Sequence, residues 1–235
     1  SKNLKAIAIR GTGDVAVADK GKLKTARGAF TKAMKESEVL YPAFSKMGTP
    51  MVVDHTCTMG IFPTKNYSAT GQYDPMDKIG VEVQMTRNVG SEHCYGCPVG
   101  CSQLKLAKEK PYAGILTEGP EFETMYSFGG VTGVENIDAI IAADRLADEL
   151  GFDTISSGVT VAFAMELYEK GILTKADTGG LELNFGNHEA MVALLNQMAY
   201  REGFGAVLAD GSKEAAKKIG KGSEKYAMQV KGLEL

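Results

Sequence analysis

The stretch His93-Cys94-Tyr95-Gly96-Cys97-Pro98-Val99-Gly100-Cys101 carries three of the chain's four cysteines in C-x2-C-x3-C spacing. Disulfides usually join distant segments, so three thiols on one short loop point instead to a metal in a reducing compartment. Thiolates are the ligands of iron–sulfur clusters, and N–H groups turned toward sulfur stabilise the charged core. Gly96 and Gly100 allow the tight turns that would aim those N–H groups. Zinc also accepts three cysteines and a histidine, but structural zinc sites usually divide their ligands between two knuckles. No second C-x2-C is present. A cluster is the favoured reading, zinc the alternative, and three buried free thiols the plainest. A [4Fe–4S] cluster wants a fourth ligand. Cys57 is the remaining cysteine, and it reads better as a small core residue than as that ligand. His55, His93 and His188 read as structural or exposed, and His93 adjoins Cys94 too closely for both to bind one metal without strain.

Two acidic groups lie further along the chain. Glu118-Gly119-Pro120-Glu121-Phe122-Glu123-Thr124 sets three carboxylates around a Gly-Pro turn. A solvated loop is the simpler reading. The chemical one is an acid beside a redox centre, moving protons in step with electrons. In Asp148-Glu149-Leu150-Gly151-Phe152-Asp153-Thr154, Asp148 falls in a last helical turn, where a carboxylate opposes the helix dipole. Some other interaction must favour it there. Asp153 can cap the segment through Ser156-Ser157-Gly158, which needs no ligand. A carboxylate also pairs well with two N–H donors, as a pterin edge would offer.

These residues need a frame, and the frame reads as mainly α. Leu4 to Arg10 is a short apolar segment closed by Gly11, a strand by pattern. Lys22 to Val39 has helical spacing at Leu23, Ala26, Phe30 and Ala33 or Met34. Residues 49–88 are rich in Pro, Gly, Asp and Thr and predict loop with short helical pieces. Ile137, Ile140, Ile141 and Leu146 mark a helix ending at Gly151, and Val159 to Lys170 marks another. Asn187 is placed to cap a third, with Met191, Leu194, Leu195 and Met198 on its apolar face, and Ser212 to cap a fourth. There is no internal repeat.

At 235 residues the chain is long enough for a substantial core. Its 44% hydrophobic and 23% charged content is that of a folded globular protein. A net charge of -3 offers no general basic field for nucleic acid. No apolar run is long enough to span a membrane, and no signal-peptide core stands behind the N-terminus, so a cytoplasmic setting is expected. Glycine, at 28 residues, exceeds the usual share of about 7%, which predicts many tight connections.

Taken together, the pieces resemble the aldehyde ferredoxin oxidoreductase family of tungsten–pterin enzymes. The likeness covers most of the chain. It runs from Lys2-Asn3-Leu4-Lys5-Ala6-Ile7 through Lys46-Met47-Gly48-Thr49, Pro63-Thr64-Lys65-Asn66-Tyr67 and the cysteine motif. It continues through Glu118 to Glu123, Asp148-x-x-Gly151-Phe152-Asp153, Ala164 to Gly171 and Arg201-Glu202-Gly203-Phe204-Gly205. The resemblance implies that Cys94, Cys97 and Cys101 donate thiolates to a [4Fe–4S] cluster. It implies that Asp148 and Asp153, with the backbone of Phe152, bind a tungsten (or molybdenum) bis-pterin, and that Glu123 is the carboxylate near the metal. Residues 1–12 would end a preceding pterin-binding domain, and residues 13–235 would form the family's helical middle domain. The implied reaction oxidises an aldehyde to a carboxylic acid and passes electrons to ferredoxin. A homo-oligomer is among the assemblies the family implies. The family's N-terminal β-rich domain, second D-x-x-G motif, fourth cluster cysteine and downstream histidine have no counterpart in these residues, so the chain alone should not enclose the cofactor. Ala142 and Arg145 stand where some members carry a metal-bridging E-x-x-H. Reduction of an aromatic acyl thioester and a non-catalytic iron–sulfur or zinc module are the alternatives.

Overall fold

The computed structural model describes residues 6–72 and 74–235. Six helices of seven residues or more stand out among them: α1 (Lys20–Glu36), α2 (Val52–Thr58), α3 (Ile137–Leu150), α4 (Thr154–Glu169), α5 (His188–Tyr200) and α6 (Ser212–Ile219). Strands β1 (Asn88–Glu92), β2 (Ser102–Leu106) and β3 (Leu116–Glu118) form one antiparallel sheet in that order. A second pair, β4 (Gln229–Val230) and β5 (Leu233–Glu234), closes the chain. The fold is mainly α, as the spacing predicts.

The core is built on α4. Every residue from Ser157 to Leu167 is buried, so this helix is enclosed on all faces. Its Gly158 lies against Ser127, where a Cβ would approach the Ser127 carbonyl oxygen to 2.6 Å. That contact seats α4 on Met125–Gly130, a wide helical turn whose residues are all buried. Beside it, α3 packs an alanine-rich face of Ala139, Ala142, Ala143 and Ala147. Side-chain caps start these helices. Asn136 Oδ1 accepts from the N–H groups of Asp138 (3.0 Å) and Ala139 (3.1 Å), and Asn187 Oδ1 accepts from Ala190 (3.1 Å). Gly151 ends α3 at φ +73°, a left-handed cap open to glycine at little cost.

Three local expectations change. Residues 6–10 form no strand and are exposed, and Leu4 and Lys5 lie outside the described residues. Without a neighbouring strand to pair with, an apolar run has no ladder to join. Helix α1 forms, capped by Asp19 through the Lys22 N–H at 2.9 Å, but its apolar face is not core: only Met34 is buried, while Leu23 and Phe30 are exposed. Ser212 is the first residue of α6 rather than its cap. Its N–H and hydroxyl both donate to Glu234 Oε1, at 2.7 and 2.9 Å.

Candidate functional site

The cysteine motif is the connection between β1 and β2, which pair antiparallel. Cys94 is exposed and Cys97 and Cys101 are half-buried; all four cysteines are free thiols. A turn forms where the Cys97 N–H meets the Cys94 carbonyl at 2.9 Å. Gly96 and Gly100 take φ of +72° and +63°. A Cβ on Gly100 would collide with the His93 ring, whose Nδ1 lies 3.1 Å from the Cys97 carbonyl oxygen. His93 therefore braces the loop.

Cys101 is pushed above the ordinary thiol range by burial, then by the charge of Glu121, with Cys94 and Cys97 adding to it. The Cys101 thiolate is thus disfavoured unless a compensating cation lies beside it. No group of three His, Cys, Asp or Glu side chains among the described residues is gathered as around a single ion. Cys57 sits elsewhere, in a cavity of about 210 Å³ lined by Gly60, Phe62, Gly71, Gln72 and Asp74. Burial, then a hydrogen bond and the charge of Asp74, push its thiol up to about 12, the behaviour of an inert core residue.

A neighbouring segment, residues 45–49, joins the cysteine loop to the acidic turn. Ser45 Oγ donates to the Val99 carbonyl at 2.5 Å. Gly48 lies against the Cys101 carbonyl, at φ +69°. Thr49 Oγ1 donates to Glu121 and accepts from the Phe122 N–H at 3.0 Å. Gln103, buried on β2, directs its amide toward the same loop, 3.4 Å from the Gly100 carbonyl. Composition and spacing did not single out Ser45 or Gln103, and marked Glu121 only as one of three carboxylates around a turn. The signal available was polar Gln103 and Lys105 at alternate positions of a strand, where one face must be core.

Glu123 is exposed, in the helical turn Phe122–Thr124. Thr124 Oγ1 donates to Thr154 Oγ1 at 2.9 Å, tying that turn to the start of α4. Asp153 is exposed and caps α4, accepting from the Ser156 N–H at 2.7 Å. The charges of the two acids act on a common neighbour. Burial, with the charges of Tyr67, Glu123 and Asp153 adding to it, pushes the Tyr126 hydroxyl up to about 12. Asp148 is exposed on the last turn of α3, and the Phe152 N–H donates to the Ala147 carbonyl at 2.8 Å, leaving the Phe152 carbonyl as its backbone group for a ligand. Ala142 and Arg145 line a surface cavity beside Tyr112 and Asn196, and Arg145 pairs with Glu149 at 2.7 Å.

This loop, acidic turn and helix junction fall within a longer match. Residues 25–235 match the family model "Aldehyde ferredoxin oxidoreductase, domains 2 & 3". The chain belongs to the aldehyde ferredoxin oxidoreductase family. A tungsten-containing aldehyde ferredoxin oxidoreductase from Pyrococcus abyssi is 38% identical over 239 residues, which span 100% of this chain and 38% of that protein. An aliphatic sulfonate oxidoreductase, WOR-like subunit, from Pyrococcus furiosus is 35% identical over 243 residues, 99% of this chain and 38% of that one. Among solved structures, the active site complex BamBC of benzoyl coenzyme A reductase with 1,5-dienoyl-CoA aligns with a TM-score of 0.75 at 26% identity. It covers 96% of this chain and 35% of that chain. The chain therefore spans under two-fifths of the length of these relatives. Among the described residues no helix is long and apolar enough to cross a membrane.

Proposed function

We propose that the chain is the cluster- and pterin-contacting part of a tungsten (or molybdenum) pterin oxidoreductase that oxidises aldehydes to carboxylic acids and delivers electrons to ferredoxin. One observation carries most weight: a single segment, residues 45–49, grips both the three-cysteine loop and the turn bearing Glu123. Residues 1–12 belong to a preceding domain in this reading, and residues 13–235 form the helical one.

The donor set fits the implied groups. Three free thiols on one loop, mutually repelling as thiolates, suit a cationic iron–sulfur core, so Cys94, Cys97 and Cys101 hold the [4Fe–4S] cluster. Asp148 and Asp153 have exposed carboxylates able to accept paired N–H groups from a pterin edge, and Asp153 retains acceptor capacity beyond its cap. When bound, the metal–pterin supplies the two-electron chemistry, in which aldehyde and water become carboxylic acid, two electrons and two protons. Glu123 receives one of those protons on a carboxylate oxygen and releases it to solvent. Thr124, through Thr154, keeps that turn in register with the Asp153 cap.

The Cys97→Ser variant of the full-length enzyme tests the assignment. Aldehyde-dependent viologen reduction and the cluster's electron paramagnetic resonance signal are expected to be lost together. Retained activity with a normal cluster signal refutes it. The likeness to a benzoyl coenzyme A reductase complex supports a second reading, reduction of an aromatic acyl thioester. The same enzyme assayed with aldehydes and with aromatic thioesters separates the two.

A further inference from the structure

Among the described residues Lys105 is the only buried lysine, 1% exposed. Strand alternation drives it inward: Gln103, Lys105 and Ala107 face the core. Its stem has no path by which to carry the ammonium to water, and Nζ meets no hydrogen-bond acceptor among the described residues. An isolated buried charge is costly, so the charges that face it decide what it does.

The charges of two carboxylates, Glu121 and Asp144, act on it. Asp144, on α3, accepts from Thr117 Oγ1 at 2.7 Å, and Thr117 is the residue opposite Lys105 across β2 and β3. Glu121 is held by Thr49, and it is also the carboxylate whose charge falls on Cys101. Burial pulls the ammonium down to about 8, with Glu121 and Asp144 opposing that fall. Both carboxylates thus favour the charged ammonium.

We propose that Lys105 is a positioning residue for electron transfer: its buried ammonium offsets the Glu121 carboxylate beside Cys101 and so keeps the cluster easier to reduce. The proposal rests on the cluster reading above. Reduction adds one electron to a core already ringed by thiolates. Each nearby negative charge opposes that electron, a nearby positive charge favours it, and burial weakens the screening of both. Lys105 stands four residues beyond Cys101, on the β2 strand that leads directly out of the cysteine loop. It touches neither substrate nor cluster in this role. It acts through Glu121.

The test is a redox titration of the intact holoenzyme monitored by electron paramagnetic resonance, with iron and sulfide measured on every sample. Lys105→Met is expected to lower the midpoint potential by at least a tenfold change in the one-electron equilibrium, about 59 mV. Lys105→Arg should stay close to wild type. Glu121→Gln should shift the potential the opposite way, and it remains informative where Lys105→Met fails to accumulate. Full cluster content with unchanged potentials in Lys105→Met and Glu121→Gln overturns the proposal and leaves the cluster reading intact. Wild-type enzyme without iron and sulfide overturns the cluster reading itself.

Discussion

Replacing Asp138 by Asn strikes the clamp that holds the cysteine hairpin to the helical core. Asp138, at the start of α3, is 1% exposed and Arg87, just before β1, is 14% exposed. Arg87 Nε reaches Oδ1 at 2.9 Å and Nη2 reaches Oδ2 at 2.9 Å, a two-pronged pair. The N–H groups of Lys108 and Glu109, just beyond β2, donate to the same carboxylate at 3.0 and 3.3 Å. Both ends of the hairpin thus converge on one side chain. Burial alone would raise this acid, but the Arg87 hydrogen bonds, the Lys108 and Glu109 N–H groups and the Arg87 charge outweigh it and hold it below the usual carboxylate range. Breaking one partner of a buried pair costs about 3–5 kcal/mol, because the other is left buried and uncompensated. The remaining ion pair of Arg87, with exposed Glu109 at 3.1 Å, recovers under about 1 kcal/mol. With a urea dependence of about 2–3 kcal/mol per molar, the unfolding midpoint of Asp138→Asn should fall by roughly 1–2.5 M at pH 7. The acid's folded value lies below its unfolded one, so its contribution is present above the unfolded value and lost as pH falls through the folded value. The wild-type and variant curves should therefore converge in acid. A loss under about 1 kcal/mol at pH 7, or a gap that persists in acid, refutes the clamp.

Two further outcomes rest on single residues. Gly100→Ala meets both a left-handed backbone and the His93 ring, whereas a Cβ on Gly96 meets nothing within 4 Å, so iron and sulfide per chain should drop more in Gly100→Ala than in Gly96→Ala. Burial, with Thr117 opposing and Asp148 reinforcing it, raises Asp144 to about 6. The folded chain then holds that proton more tightly than the unfolded chain, and stability falls by up to about 3 kcal/mol as pH rises from about 4 through 6. Asp144→Asn should flatten that limb in denaturation midpoints measured across this range.

Much of the frame is legible in local residue patterns. The periodicity ending at Gly151 and the cap at Asn187 correspond to helices whose termini fall where those residues stand. The helix on Lys22 to Val39 also forms, yet its burial was not legible, since apolar spacing at Leu23 and Phe30 states which face is apolar and not what covers it. The β1–β2 hairpin was missed because Asn88–Glu92 carries mostly polar residues, and the short alternation in Ser102–Leu106 buries its polar positions, Gln103 and Lys105, rather than its leucines. The Asp153 cap is visible both in spacing and in structure.

By itself the sequence determined the chemistry on offer: three thiols within eight residues, carboxylates around two turns, and helices with their caps. These depend on neighbours a few residues apart, so spacing encodes them. Only the tertiary structure decided which acid meets the cysteine loop. Thr49 reaches Glu121 across 72 residues, and Lys105 turns inward under the charges of Glu121 and Asp144. Such contacts arise when separate segments are pressed against one core, where a polar group must take whatever partner the packing brings.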